Sequence, residues 1–190
     1  MGATDASAQA GLNQEFVIDK ITPTFVATPS YGAGPSKRTD KKDWLEVEVE
    51  FTWKPSQQPE VPYTDELTIT YFILLDNKSK EYPQGALLTG QVTHVDVPVG
   101  KDLRSVMYVS PRTIERYFGG RPPTTTNQAL QAVGVEISAR GQTVAQNATK
   151  GDQPWWQQMQ QIRGSVLDKN QTPFAPLYWD YYEPIKNDNP

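Results

Sequence analysis

The chain has 190 residues, a net charge of -4, no cysteine and a single histidine. This excludes a disulfide frame and thiolate chemistry, leaves a zinc site short of ligands, and argues against a nucleic-acid partner. Hydrophobic residues make up 37%, and 16 prolines and 13 glycines are dispersed along the chain, as expected for one domain of many short elements that buries roughly 70% of its unfolded surface.

Residues 1–14 (MGATDASAQAGLNQ) show no periodicity and are expected to form a disordered arm. Their small, polar composition resembles a mature N-terminus left after signal-peptide removal, so an extracytoplasmic protein is expected. The remaining residues, 15–190, read as a single β-sandwich domain with a helical and hairpin C-terminal portion. From Glu15, EFVIDKITPTFVAT reads as an edge strand bent at Pro23. An exposed edge over 15–28 would allow homo-oligomers to form by strand exchange. Residues 29–43 read as a loop, in which Lys37, Arg38, Lys41 and Lys42 are interleaved with Asp40 and Asp43 as a solvated basic cluster.

The stretch WLEVEVEFTW at 44–53 alternates without a break. Leu45, Val47, Val49, Phe51 and Trp53 fall on one side, and Trp44, Glu46, Glu48, Glu50 and Thr52 on the other, which is a strand with one buried and one wet face. In TDELTITYFILLD, Leu67, Ile69, Tyr71, Ile73 and Leu75 alternate, while Phe72 and Leu74 add a second apolar face. That strand is expected to be central, or covered on its outer side. One or two strands follow in GALLTGQVTHVDVPVG, with His94 and Asp96 assigned to a solvated face, and another in DLRSVMYV.

The segment SPRTIERYFGG predicts a short helix over 110–118, with Ser110 as N-cap, Pro111 at the first helical position and Gly119 as terminator. ALQAVGVEISA and TVAQNA read as strands joined at Arg140–Gln142. A second helix is expected over 154–162, because Trp155, Met159 and Ile162 recur at helical spacing. VLDKNQTPFA is expected as a hairpin with its loop at Asp168–Gln171, and LYWDYYEP as a closing strand. The fold class is therefore all-β: an antiparallel β-sandwich, immunoglobulin-like, with two short helices.

No catalytic, metal or cofactor signature stands out. His94 and Asp96 could form a dyad, but the expectation is an exposed histidine without a role. Glu46, Glu48 and Glu50 splay along one strand face and read as solubilising charges. DKNQT at 168–172 begins like a calcium loop and then has Pro173 and Trp179 where glycine and glutamate are required. What remains is aromatic. Trp44, Trp155, Trp156, Trp179, Tyr181 and Tyr182 are the candidate binding residues, flanked by amides at Gln157 and Gln158 that would suit a glycan. The competing expectation is that Trp155 and Trp179 seal the core.

The segments VSPRTIERYFGGRP (109–122), PWWQQM (154–159) and TPFAPLYWDYYEPIK (172–186) resemble extracytoplasmic proteins of mucin-degrading verrucomicrobia encoded in type IV pilus-like gene clusters. The likeness covers nearly all of 15–190. It implies an immunoglobulin-like fold, export to the periplasm, outer membrane or cell surface, and protein partners in a pilus or envelope assembly. A host receptor or glycan is the further partner it implies. It transfers no catalytic residue, and the hydrophobic N-terminal helix of a pilin subunit is lacking, so an accessory role is expected. The function expected is non-catalytic. A carbohydrate-binding module is the alternative, and a carboxylate-based hydrolase stands third.

Overall fold

The computed structural model describes residues 14–32 and 42–188. The expected arm (Gln14 apart) and Lys37, Arg38 and Lys41 lie outside the described residues. The strands are β1 (Phe16–Ala27), β2 (Asp43–Trp53), β3 (Tyr63–Leu75), β4 (Leu87–Pro98), β5 (Gly100–Val109), β6 (Leu130–Ala139), β7 (Gln142–Ala148), β8 (Gln161–Arg163) and β9 (Val166–Asp168). One sheet runs β1-β2-β5-β9 and the other β7-β6-β3-β4-β8. All pairings are antiparallel except β4 with β8. Strands make up 49% of the chain and the helices are short, so the molecule is an all-β sandwich.

The core lies where the two sheets face each other. Leu45, Val47, Val49 and Phe51 of β2 meet Leu67, Ile69, Tyr71 and Ile73 of β3 in one buried cluster. Full burial of each aliphatic or aromatic side chain stabilises by about 1.5–3 kcal/mol. The second apolar face of β3 is covered as its sequence predicts. Phe72 stacks on Trp156, with ring centroids 5.1 Å apart, and β3 is the middle strand of its sheet. Gly134 on β6 makes room for that indole, because a Cβ there would stand 2.3 Å from Trp156 Cε3.

β1 is an edge strand, paired only with β2. Its free side is protected by a register irregularity between Ile18 and Lys20, by Pro23, and by Asn147 of β7, whose Nδ2 donates to the Ile18 carbonyl at 3.1 Å. Such devices discourage strand addition. The helix over 110–118 forms as α1 (Pro111–Tyr117), with Ser110 Oγ accepting from the Thr113 amide.

Four expectations are corrected. Residues 154–162 do not form a helix: Trp155–Gln158 make a single 3-10 turn without a side-chain cap, and Gln161–Arg163 leave it to pair with β4. Four residues cannot repay the cost of helix nucleation, so the docking of Trp156 sets the local path. The second short helix is instead α2 (Thr126–Ala129). Asp168–Gln171 is no hairpin loop. Asp168 accepts from the Asn170 amide and Gln171 Oε1 accepts from the Asp168 amide, a reciprocal cap on a 3-10 turn. The tail is a series of turns, in which the Tyr181 amide returns to the Tyr178 carbonyl.

The fourth correction concerns His94, which is 1% exposed. Val92 and His94 face inward, Asp96 takes a left-handed φ of 54°, and Val97 then returns to the core. A left-handed residue resets the alternation, which uniform counting along the strand could not detect.

Candidate functional site

The outer face of the first sheet carries the site. Along β2 it presents Trp44, Glu46, Glu48 and Glu50 in a row. Register gives each a neighbour on β5: Tyr108 beside Glu46, Val106 beside Glu48, and Arg104 beside Glu50. On the β1 side the same carboxylates meet Thr24, Thr22 and Lys20. Glu50 therefore has basic cross-strand neighbours on both sides and Glu46 has none. Neither is the row wholly solvated, as the alternation alone suggests. Val106 and Tyr108 are apolar on this face and require a cover.

The cover is the segment after β9. Lys169, only 5% exposed, donates from Nζ to the carbonyls of Ala175 and Leu177 at 2.7 Å and of Phe174 at 3.4 Å. Burial lowers its pKa; the three carbonyls replace the water that the ammonium gives up. The loop folded around Lys169 lays Phe174 on Tyr108, stacked at 4.6 Å, and edge-on to Trp44 at 5.9 Å. Trp44 Nε1 donates to Thr28 Oγ1 at 3.2 Å. Tyr182 Oη donates to Glu48 Oε2 at 2.8 Å, and burial with the nearby carboxylates raises the pKa of that phenol.

Between this cover and the end of β1 lies a cleft of ≈ 530 Å³. Val26 and Pro29 form one wall, Phe174, Leu177, Tyr178 and Tyr181 the other, and Glu46 also lines it. Burial raises the pKa of Glu46 against the lowering influence of the Tyr108 hydroxyl. That hydroxyl is buried without a partner in hydrogen-bond geometry, and Glu46 forms no ion pair among the described residues. Tyr178 has a left-handed φ of 56°, a costly conformation for a bulky residue. It turns the chain so that Trp179 projects outward, 80% exposed. Arg104 lies over the Tyr181 ring at 4.4 Å.

The sequence candidates thus divide. Tyr181 and Tyr182 line this cleft, Trp44 packs edge-on against its wall residue Phe174, and Trp179 follows the wall residue Tyr178 in the chain without lining the cleft. Trp155 and Trp156 lie on the outer face of the other sheet, meeting edge-on at 5.2 Å, with Trp156 Nε1 bonded to Glu136 at 2.7 Å. Trp156 is buried and Trp179 is not, the reverse of the expectation that Trp179 seals the core. Glu46, Tyr178, Phe174 and Lys169 were missed. The apolar outer residues of β5 were the readable sign that something packs there.

The histidine belongs to a different construction. His94 Nδ1 lies 3.0 and 3.2 Å from the carbonyls of Glu183 and Pro184. Carbonyls only accept, so Nδ1 bears the proton and Nε2 accepts from Ser105 Oγ at 2.7 Å. Tyr71 Oη donates in turn to Ser105 Oγ at 2.8 Å. Tyr71 and Ser105 are 0% exposed, so this serine–histidine pair has no approach for a substrate and joins the two sheets to the tail. Burial lowers the His94 pKa to about 4. Among the described residues no group of three metal-ligating side chains converges, and no helix is long and apolar enough to cross a membrane.

A protein-family model matches residues 7–189, nearly the whole chain. A solved crystal structure from Akkermansia muciniphila shares the fold at a TM-score of 0.74 and 24% identity, covering 92% of this chain and 94% of that one. No curated protein matches.

Proposed function

Because the chain belongs to the pilus-related family whose model it matches over residues 7–189, we propose that it is a non-catalytic, exported β-sandwich working through protein contacts in a pilus or outer-membrane assembly. The observation that carries this reading is Trp179, 80% exposed on a turn whose backbone is strained at Tyr178. An exposed indole beside Tyr178 and Tyr181 gains nothing for the fold and matches the aromatic anchors that dominate protein interfaces. Burial of the one histidine with Ser105 supports the non-catalytic part. A photo-crosslinking residue in place of Trp179, introduced in the native host, should trap envelope proteins encoded beside the pilus machinery. Adducts confined to cytoplasmic proteins would overturn the proposal.

A carbohydrate-binding role is the second reading, favoured by the same exposed rings. Against it, Tyr178 and Tyr181 meet Tyr182 at 85° and 89°, which encloses a space where a sugar ring wants a flat platform. Saturable binding of a neutral mucin-type oligosaccharide, lost in Trp179→Ala, would reverse the ranking.

A further inference from the structure

We propose that the cleft between the end of β1 and the C-terminal cover is a site for a lysine side chain of a partner protein, with Glu46 receiving the ammonium and Tyr178 and Tyr181 flanking it. The cleft's ≈ 530 Å³ falls within the roughly 300–1,000 Å³ usual for ligand clefts. Its walls are mostly apolar, with Phe174 and Leu177 suited to a methylene stem. Cross-strand register withholds from Glu46 the basic neighbours it gives Glu50. Glu50 is balanced by Lys20 and Arg104, the latter already over one face of the Tyr181 ring, so the negative charge left for an incoming cation lies at Glu46 and Glu48, beside the ring of Tyr178.

Glu46 is a carboxylate partly removed from water with no ion pair among the described residues, and burial raises its pKa. An ammonium arriving there would restore the lost interaction and favour the ionised form. Lysine suits the site better than arginine. A guanidinium brings five donors in a fixed fork, whereas among the described residues Glu46 is the sole carboxylate lining the cleft and Glu48 is already engaged by Tyr182.

The inference rests on the protein-contact reading for the source of the lysine. Its test contains no pilus protein, so the two can fail separately. The probe is the capped peptide acetyl-Gly-Lys-Gly-amide, titrated into the whole protein and followed by the ring resonances of Tyr178 and Tyr181. Saturable shifts are expected, with binding about tenfold weaker for the norleucine analogue, equivalent to about 1.4 kcal/mol. Glu46→Gln should weaken the lysine peptide by a similar factor with an unchanged melting temperature. Tyr181→Leu, altering a half-exposed wall residue, provides a second variant with the same expected loss. Equal binding of the lysine and norleucine peptides, or undiminished binding by Glu46→Gln, overturns the proposal. So does saturation by a neutral oligosaccharide alone.

Discussion

His94 and Ser105 reach each other from opposite sheets: Nε2 of the histidine on β4 accepts from the hydroxyl of the serine on β5 at 2.7 Å, with both residues buried. The other ring nitrogen binds the carbonyls of Glu183 and Pro184. One imidazole therefore ties both sheets to the tail, and burial favours its neutral form, in which Nε2 keeps its lone pair for the Ser105 hydroxyl.

Replacing this ring should be costly. His94→Ala leaves Ser105 and two carbonyls unsatisfied in the interior, with an expected loss of about 2–4 kcal/mol in urea unfolding. An exposed, idle histidine would have cost under about 0.5 kcal/mol, and a value that small would show the network to be ornamental.

Acid should expose the same dependence. The folded pKa of His94, about 4, lies below the 6.5 of the free side chain, so between these values the unfolded chain binds the extra proton. Stability from this group is complete above pH 6.5 and is lost as pH falls towards 4, a change of about 3 kcal/mol. Denaturant midpoints across pH 4–7 should fall less steeply in His94→Gln than in the parent. Parallel slopes would remove the histidine from the account.

Lys169→Met keeps the apolar stem and deletes the donors to residues 174, 175 and 177. The expected cost is about 1–3 kcal/mol, accompanied by faster amide exchange in the segment 174–182 while the strands stay protected. Unchanged exchange in that segment would mean that the ammonium does not organise the cover.

Gly134→Ala pushes a methyl against Trp156 and should destabilise by about 1–3 kcal/mol through overpacking. Trp156→Ala alone should cost about 3–5 kcal/mol, and in that background the Gly134→Ala penalty should shrink or vanish. Additive losses in the double variant would contradict the contact.

Trp179→Ala should leave stability within about 0.5 kcal/mol, because its ring rests in solvent. Acrylamide should quench Trp179 and spare Trp156. A loss of several kcal/mol would restore the reading of Trp179 as a sealing residue.

Much of the fold was legible because β2 and β3 carry long, regular alternation and α1 carries its own cap. The errors arose where one residue resets the period, as Asp96 does, or where a contact distant in sequence sets the path, as Trp156 on Phe72 does. The reciprocal cap from Asp168 to Gln171 was written in the sequence as an acidic residue followed three positions later by glutamine, and a hairpin reading masked it. The candidate site was half visible. Aromatic residues could be counted, but the selection of Glu46 over Glu50 depends on which side chains the register sets beside each of them.

The tail also bears on the order in which the molecule assembles. Tyr182 bonds Glu48 across 134 positions, and His94 meets Glu183 across 89, whereas β3 pairs with the strand that follows it. Closing long loops costs entropy before contacts can compensate, so the hairpins have the kinetic advantage and the tail docks afterwards. The same segment can detach while the paired strands persist, which gives the cleft a separate, lower opening free energy than the sandwich that supports it. Faster exchange of the Val95 and Lys186 amides, which bond across that junction, than of the β3–β6 ladder is its signature. A guest held by Glu46 and the tyrosines would then slow this opening, and occupancy of the site would be readable at residues that never touch the guest.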